Sequence, residues 1–200
     1  MVPDCRMKIH HWIQTAVLTS ALACAASGAD DFKPEPGYTS LFNGQNLTGW
    51  CYSATNAFDG KTESSDGRYS AKEGILTVNP HKPEAGPRLR QLSTTRLFPK
   101  DFILKLDFRA ATNADSGIFI RKPQLQCRDY LVAGPYKQLK QYKPQEWNEI
   151  VVTVTNNVAY CTCNGEVLEA ALKVPDIGPI GLEADRGQME YRRIRLKELP

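Results

Sequence analysis

The chain is expected to fold as an all-β protein, an antiparallel two-sheet sandwich of jelly-roll type, and three observations predict it. Short runs with apolar residues at every second position recur along much of the 200 residues, the period at which side chains of a strand share a face. Turn-forming pairs, Asn43-Gly44, Glu73-Gly74 and Asn164-Gly165, punctuate those runs. No sustained amphipathic helix interrupts them. Many short strands whose faces alternate close most readily as two packed sheets.

Taken in order, the first segment stands apart. Arg6 and Lys8 precede "IQTAVLTSALACAASGA", an apolar, small-residue stretch too short for a spanning helix and ending in Ser27-Gly28-Ala29. Residues 1–29 are therefore expected to be a signal peptide cleaved near Ala29, with the product exported to the periplasm or the extracellular space. A lipid anchor at Cys24 fits less well, because Leu22 is awkwardly placed for a lipobox. Residues 30–200 then form one domain. "GRYSAKEGILTVN" reads as a hairpin about Glu73-Gly74, and "FILKLDFRA" puts Phe102, Leu104, Leu106 and Phe108 on one face and Lys105, Asp107 and Arg109 on the other. "WNEIVVTVT" turns Ile150, Val152 and Val154 inward. "VAYCTCNGEVLEA" is a hairpin through Asn164-Gly165, a pair that supplies the left-handed conformations of a two-residue turn. "PIGLEAD" and "QMEYRRIRLKEL" close the domain. "SATNAFDGKTESSDG" and "NPHKPEAGPR" read as long surface loops suited to the rims of a site.

Composition excludes several functions. An apolar fraction of 42% suits one globular core, and the formal charge of +3, falling to +2 without Arg6, Lys8 and Asp4, is too small for nucleic-acid binding. His10 and His11 leave with the leader, so His81 is the one histidine of residues 30–200 and a multi-histidine metal centre is excluded. Cys51, Cys127, Cys161 and Cys163 lack the Cys-x-x-Cys spacing of a zinc knuckle. They are expected either to form a disulfide, whose pairing the sequence leaves open, or to be buried free thiols.

The segment "ADSGIFIRKPQLQCRDY" carries the chemistry. After Pro123, alternation places Gln124, Gln126 and Arg128 on one face and Leu125, Cys127 and Asp129 on the other. Amides offer a donor and an acceptor together, the means to hold something polar. Arg121, at the end of the Gly-Ile-Phe-Ile run, is a candidate for a defined polar partner. Asp107, Glu149, Glu183 and Asp185 are the candidate carboxylates. Tyr136 can stack on a ligand or donate a hydrogen bond to it. Trp50, Trp147 and Asp129 are read first as structural.

In order along the chain, "GYTSLFNGQNLTGW", "AKEGILTV", "LSTTRLFPKDFILKLDFRA", "ADSGIFIR", "GPYKQLKQYKPQEWNEI", "CNGEVL" and "GPIGLEADRGQMEYRRIRLKEL" resemble the 3-keto-disaccharide hydrolase family, formerly a domain of unknown function abundant in exported bacterial proteins. The resemblance spans roughly residues 38 to 198. It implies a concanavalin-like jelly roll with a polar cleft on its concave face, acting as a hydrolase or eliminating lyase on glycosides whose sugar carries a ketone at carbon 3. Some relatives are expected to use a divalent cation. The family pattern Glu-x-Gln-x-x-Asp appears here as Gln124, Gln126 and Asp129, so an amide stands in place of the glutamate. The family's Gly-Leu-Gln-x-His stretch appears as Gly181-Leu182-Glu183-Ala184-Asp185, so Glu183 stands in place of an amide. Arg121 matches the family arginine and Tyr136 a family tyrosine. Taken together with the alternation, this makes Arg121 the expected electrophile, Glu183 or Asp107 the candidate base, and Gln124, Gln126, Arg128 and Tyr136 the expected sugar contacts. A non-catalytic, lectin-like module that has lost its acid/base set is the alternative. An envelope interaction protein using the jelly roll as scaffold is a third reading.

Overall fold

A computed structural model describes residues 32–132 and 136–200. The expected leader and Cys24 lie outside the described residues. Among the described residues there are fourteen strands: β1 Thr39–Ser40, β2 Trp50–Ser53, β3 Asn56–Ala57, β4 Tyr69–Lys72, β5 Ile75–Val78, β6 Arg90–Thr94, β7 Phe102–Ala110, β8 Asp115–Ile120, β9 Gln124–Arg128, β10 Asn148–Thr155, β11 Val158–Cys163, β12 Glu166–Lys173, β13 Ile180–Ala184 and β14 Met189–Glu198. A single 3-10 turn, Pro83–Ala85, is the one helical element among the described residues, and no helix there is long and apolar enough to cross a membrane.

The strands form two antiparallel sheets, as the alternation predicts. An eight-stranded sheet runs β12-β11-β10-β7-β14-β5-β4, with β1 also paired to β14, and a six-stranded sheet runs β3-β2-β6-β13-β8-β9. Strand β7 shows the pattern plainly: every second residue from Phe102 to Ala110 is buried and those between are half-buried. Phe102, Leu104, Leu106, Phe108, Ile150, Val152 and Tyr191 of the larger sheet meet Trp50, Leu92, Ile118, Leu125 and Leu182 of the smaller one. Each large apolar side chain so buried contributes about 1.5–3 kcal/mol. The free thiols Cys127, Cys161 and Cys163 belong to this core, and burial pushes Cys161 and Cys163 up to about 12. Of the two expectations for the cysteines, the structure has the free thiols.

Three hairpins turn through pairs of left-handed residues. Glu73-Gly74 joins β4 to β5, Asn164-Gly165 joins β11 to β12, and Asn156-Asn157, which the sequence reading did not single out, joins β10 to β11. Asparagine and glycine reach that conformation at little cost, and the twist of such turns matches that of the strands. In β14 the register slips between Arg192 and Arg195, with Arg193 at a φ of 52°. This bulge lets Arg192, Arg193 and Arg195 all serve the outer surface of the larger sheet.

Candidate active site

The break at Pro123 is a tight hairpin. Arg121 adopts a φ of 63°, Lys122 N–H donates to the Ile120 carbonyl, and the Ile120 amide donates to the Pro123 carbonyl. The chain therefore reverses, and β9 lies beside β8, pairing Phe119 with Gln124, Gly117 with Gln126 and Asp115 with Arg128. On the other flank of β8, strand β13 pairs Gly181 with Phe119, and β13 in turn pairs Glu183 with Gln91 of β6. Register thus gathers Gln91, Glu183, Gln124, Gln126, Asp115 and Arg128 on the outer face of the six-stranded sheet.

Two glycines shape that face. A side chain at Gly117 would lie 2.0 Å from the Gln124 amide nitrogen, because Gln124 crosses the space above Gly117 to donate a short hydrogen bond to Glu183 Oε2. A side chain at Gly181 would lie 2.7 Å from the Gln91 amide. The result is an amide-lined strip, the trough, in which Gln124 and Gln91 lie over bare backbone and Phe119 stands beside Gly181. Gln126 Nε2 leans on Gln124 Oε1 at 3.5 Å, while Gln126 Oε1 is buried with no hydrogen-bond partner among the described residues. A buried acceptor of this kind calls for a donor.

Glu183 is the carboxylate of the trough that an amide holds. Burial raises its pKa above the ordinary value, Asp185 and Asp115 raise it further, and the Gln124 hydrogen bond opposes them. Asp115 and Asp185 are held by arginines instead, at 3.1 Å from Arg128 and 2.9 Å from Arg88. The backbone beneath Glu183 is pinned from inside. Ser116 Oγ donates to the Glu183 carbonyl at 2.6 Å and bonds the Tyr191 hydroxyl at 2.8 Å, and the Tyr69 hydroxyl donates to the Leu182 carbonyl at 2.8 Å. Both tyrosines rise from the opposite sheet.

The other expected site residues lie elsewhere. The Arg121 guanidinium is buried, donating to the Pro175 and Lys100 carbonyls at 2.7 Å each and to Asn157 Oδ1 at 3.1 Å, with Phe102 beneath it. It ties strand ends together and does not face the amides, because the left-handed turn aims it off the sheet. Asp107 is on the outer face of the eight-stranded sheet, 3.0 Å from Arg192 and 3.7 Å from Arg193. The whole core separates it from the trough, so it is not the base for the Gln124 and Gln126 face. Glu149 is on that same far face, 3.2 Å from Arg195. Tyr136 is buried against Tyr130 and donates its hydroxyl to Glu169, so it forms no cleft rim. Asp129 accepts from the Asn113 amide and the Tyr142 hydroxyl, and Trp50 is core, both as read from the sequence. Trp147 lies between Arg109 and Arg192, 4.7 and 4.1 Å from their guanidinium carbons.

Gln91, Ser93, Gly117 and Gly181 were not singled out in the sequence. The alternation of "RQLST" was the available signal for the first two, since Leu92 is buried while Gln91 and Ser93 face outward. A divalent cation fits this donor set poorly. Among the described residues no group of three His, Cys, Asp or Glu side chains is arranged to hold one, and the nearby aspartates already face guanidinium groups.

An amide-walled trough with a single poised carboxylate, set on one sheet of a jelly roll, is the construction of a carbohydrate-active protein. The chain belongs to the 3-keto-alpha-glucoside-1,2-lyase-like domain family, which it matches over residues 37–197. Its fold is shared by two solved structures of candidate glycosyl hydrolases from Parabacteroides distasonis ATCC 8503. One is 16% identical with a TM-score of 0.63, covering 82% of this chain and 95% of that one; the other is 18% identical with a TM-score of 0.59, covering 81% and 99%. The β-glucanase of Bacillus licheniformis is similar at 11% identity and a TM-score of 0.51, covering 81% of this chain and 97% of that one. No curated protein matches the chain.

Proposed function

We propose that this protein is an exported enzyme that cleaves 3-keto-glycosides, with Glu183 as the general base. The observation that carries the reading is the Glu183 carboxylate, held by a neutral amide where its neighbours Asp115 and Asp185 are held by arginines. A ketone at carbon 3 acidifies the hydrogen on carbon 2. Glu183 takes that proton, and the C–H electron pair moves into the ring as an enolate. Collapse of the enolate expels the group on carbon 1 as an alkoxide, which takes the proton back from the Glu183 carboxyl and leaves as an alcohol, giving an enone with Glu183 again ionised; addition of water to the enone completes a net hydrolysis. The raised pKa of Glu183 brings the base nearer in strength to the acid it must deprotonate. Amide N–H groups of Gln91 and Gln126 are the donors offered to the enolate oxygen.

The test is incubation of residues 30–200 with 3-keto-trehalose or a 3-keto-glucoside, following release of the leaving group and formation of the enone. Turnover that survives EDTA is expected. Two amides beside one carboxylate also suit plain recognition, and saturable sugar binding without turnover in any metal condition would leave the lectin-like reading in its place.

A further inference from the structure

A second depression adjoins the trough, and we propose that it receives an apolar, aromatic leaving group of the substrate; the inference rests on the reading of Glu183 above. The depression has a volume of about 470 Å³, within the size range of small-molecule sites. It sits on the same outer face of the six-stranded sheet. Cys51 of β2 pairs with Ser93 of β6, and Ser93 pairs with Gly181 of β13, so all three belong to one row across the sheet. Glu183 lies one strand over and two residues along from Ser93, a separation of about 8 Å between backbones by strand geometry. That is the scale of a pyranose ring and the bond leaving it.

The lining differs in kind from the trough. Leu97, half of whose surface is exposed, and Pro179 form one wall, and the buried Cys51 thiol forms part of the floor. Ser93 and Thr95 add hydroxyls but no charge, and the depression is lined by no ionisable side chain other than Cys51 and Tyr52. A second sugar would demand several amides, carboxylates or guanidinium groups here, as the trough supplies. An aromatic ring asks only for apolar contact and exclusion of water. The two compartments are joined: Gln91, which pairs with Glu183, donates its side-chain amide to Ser93 Oγ at 3.1 Å. The Gln91 amide lies over the bare backbone of Gly181, so this one side chain is the boundary the two compartments share. A glycoside seated with its ketonic ring over Glu183 thus directs its carbon 1 substituent into the depression.

The experiment compares phenyl and methyl 3-keto-glucosides on the folded chain and on two variants of exposed residues, Leu97→Ser and Thr95→Trp. Wild type is expected to show a KM for the phenyl compound roughly tenfold below that for the methyl compound. Leu97→Ser should erase about half of that preference, and Thr95→Trp, which fills the depression, nearly all of it, with circular dichroism showing both variants folded. Equal KM values in wild type, with turnover of both, would overturn the aromatic subsite and leave the Glu183 reading intact. A phenyl preference that persists in both variants would overturn it equally. Absence of turnover for both compounds defeats the Glu183 reading instead. Calorimetry with phenyl and methyl glucosides then decides the subsite: tighter phenyl binding lost in Thr95→Trp supports it, and equal or absent binding ends it.

Discussion

The two outer faces of the sandwich differ in how they hold the carboxylates at their centres. In the middle of the eight-stranded sheet they meet guanidinium groups. Asp107 meets Arg192, Glu190 meets Arg109 at 2.6 Å, and Glu35 meets Arg195 at 2.6 Å. Arg195 holds Glu35 down to about 2, and Trp147 fills the space between two arginines. On the six-stranded sheet Glu183 meets an amide, and burial moves its pKa the other way. A carboxylate neutralised by a cation makes a poor base, whereas one desolvated beside a neutral donor is primed to take a proton. The difference teaches that the partner of a carboxylate is a better guide to its role than its presence on a polar face.

The sharpest way to break that comparison is to neutralise one carboxylate on each face. Glu183→Gln should lower turnover of a 3-keto-glucoside by roughly 10²–10⁴-fold with little change in melting temperature. Asp107→Asn should leave turnover within a factor of two and lower stability by about 1–2 kcal/mol in urea titration, since Arg192 loses its partner. A reversal of those two results would move the site to the other sheet. Arg121→Ala belongs to neither face. Removing a buried guanidinium bonded to two carbonyls should lower stability by about 3 kcal/mol, while activity per folded molecule is retained; loss of activity in a folded variant would return Arg121 to the chemistry. The smallest effect concerns protonation. Activity needs ionised Glu183, so it falls as pH drops through a pKa above that of an ordinary carboxylate. Gln124→Leu removes the hydrogen bond that opposes the rise, so the acid limb of the pH-rate profile should move to higher pH. A shift to lower pH would mean that Gln124 acts on something other than Glu183.

Strand alternation made the sandwich legible before any coordinates, because a two-residue period has one meaning when turn pairs punctuate it. The faces of β7, β9 and β10 follow directly, and so does the gathering of Gln124, Gln126 and Arg128. Which faces oppose each other is a different matter. Asp107 and Glu183 both alternate outward, and only the order of strands within sheets puts a core between them. Arg121 misled for a local reason: parity carries no information through a left-handed residue in a tight turn. Tyr136 lies on a long loop, where no period exists to read. Gln91 and Ser93 were hidden because their strand is short and its outward side chains look like ordinary surface.

The inward hydrogen bonds of Ser116, Tyr69 and Tyr191 have a consequence for how this family can vary. They hold the carbonyls of Leu182 and Glu183, and ask nothing of the side chain at position 183. The address is fixed by the core while its occupant is free. Gln124 reaches the same spot across the bare backbone of Gly117, so a carboxylate offered from either strand arrives at nearly one place. Relatives with glutamate at the position of Gln124 and glutamine at that of Glu183 would then present the same acid and amide, traded between neighbours. The apparent loss in one strand would then be a gain in the other, and the two positions would be interchangeable halves of a single device.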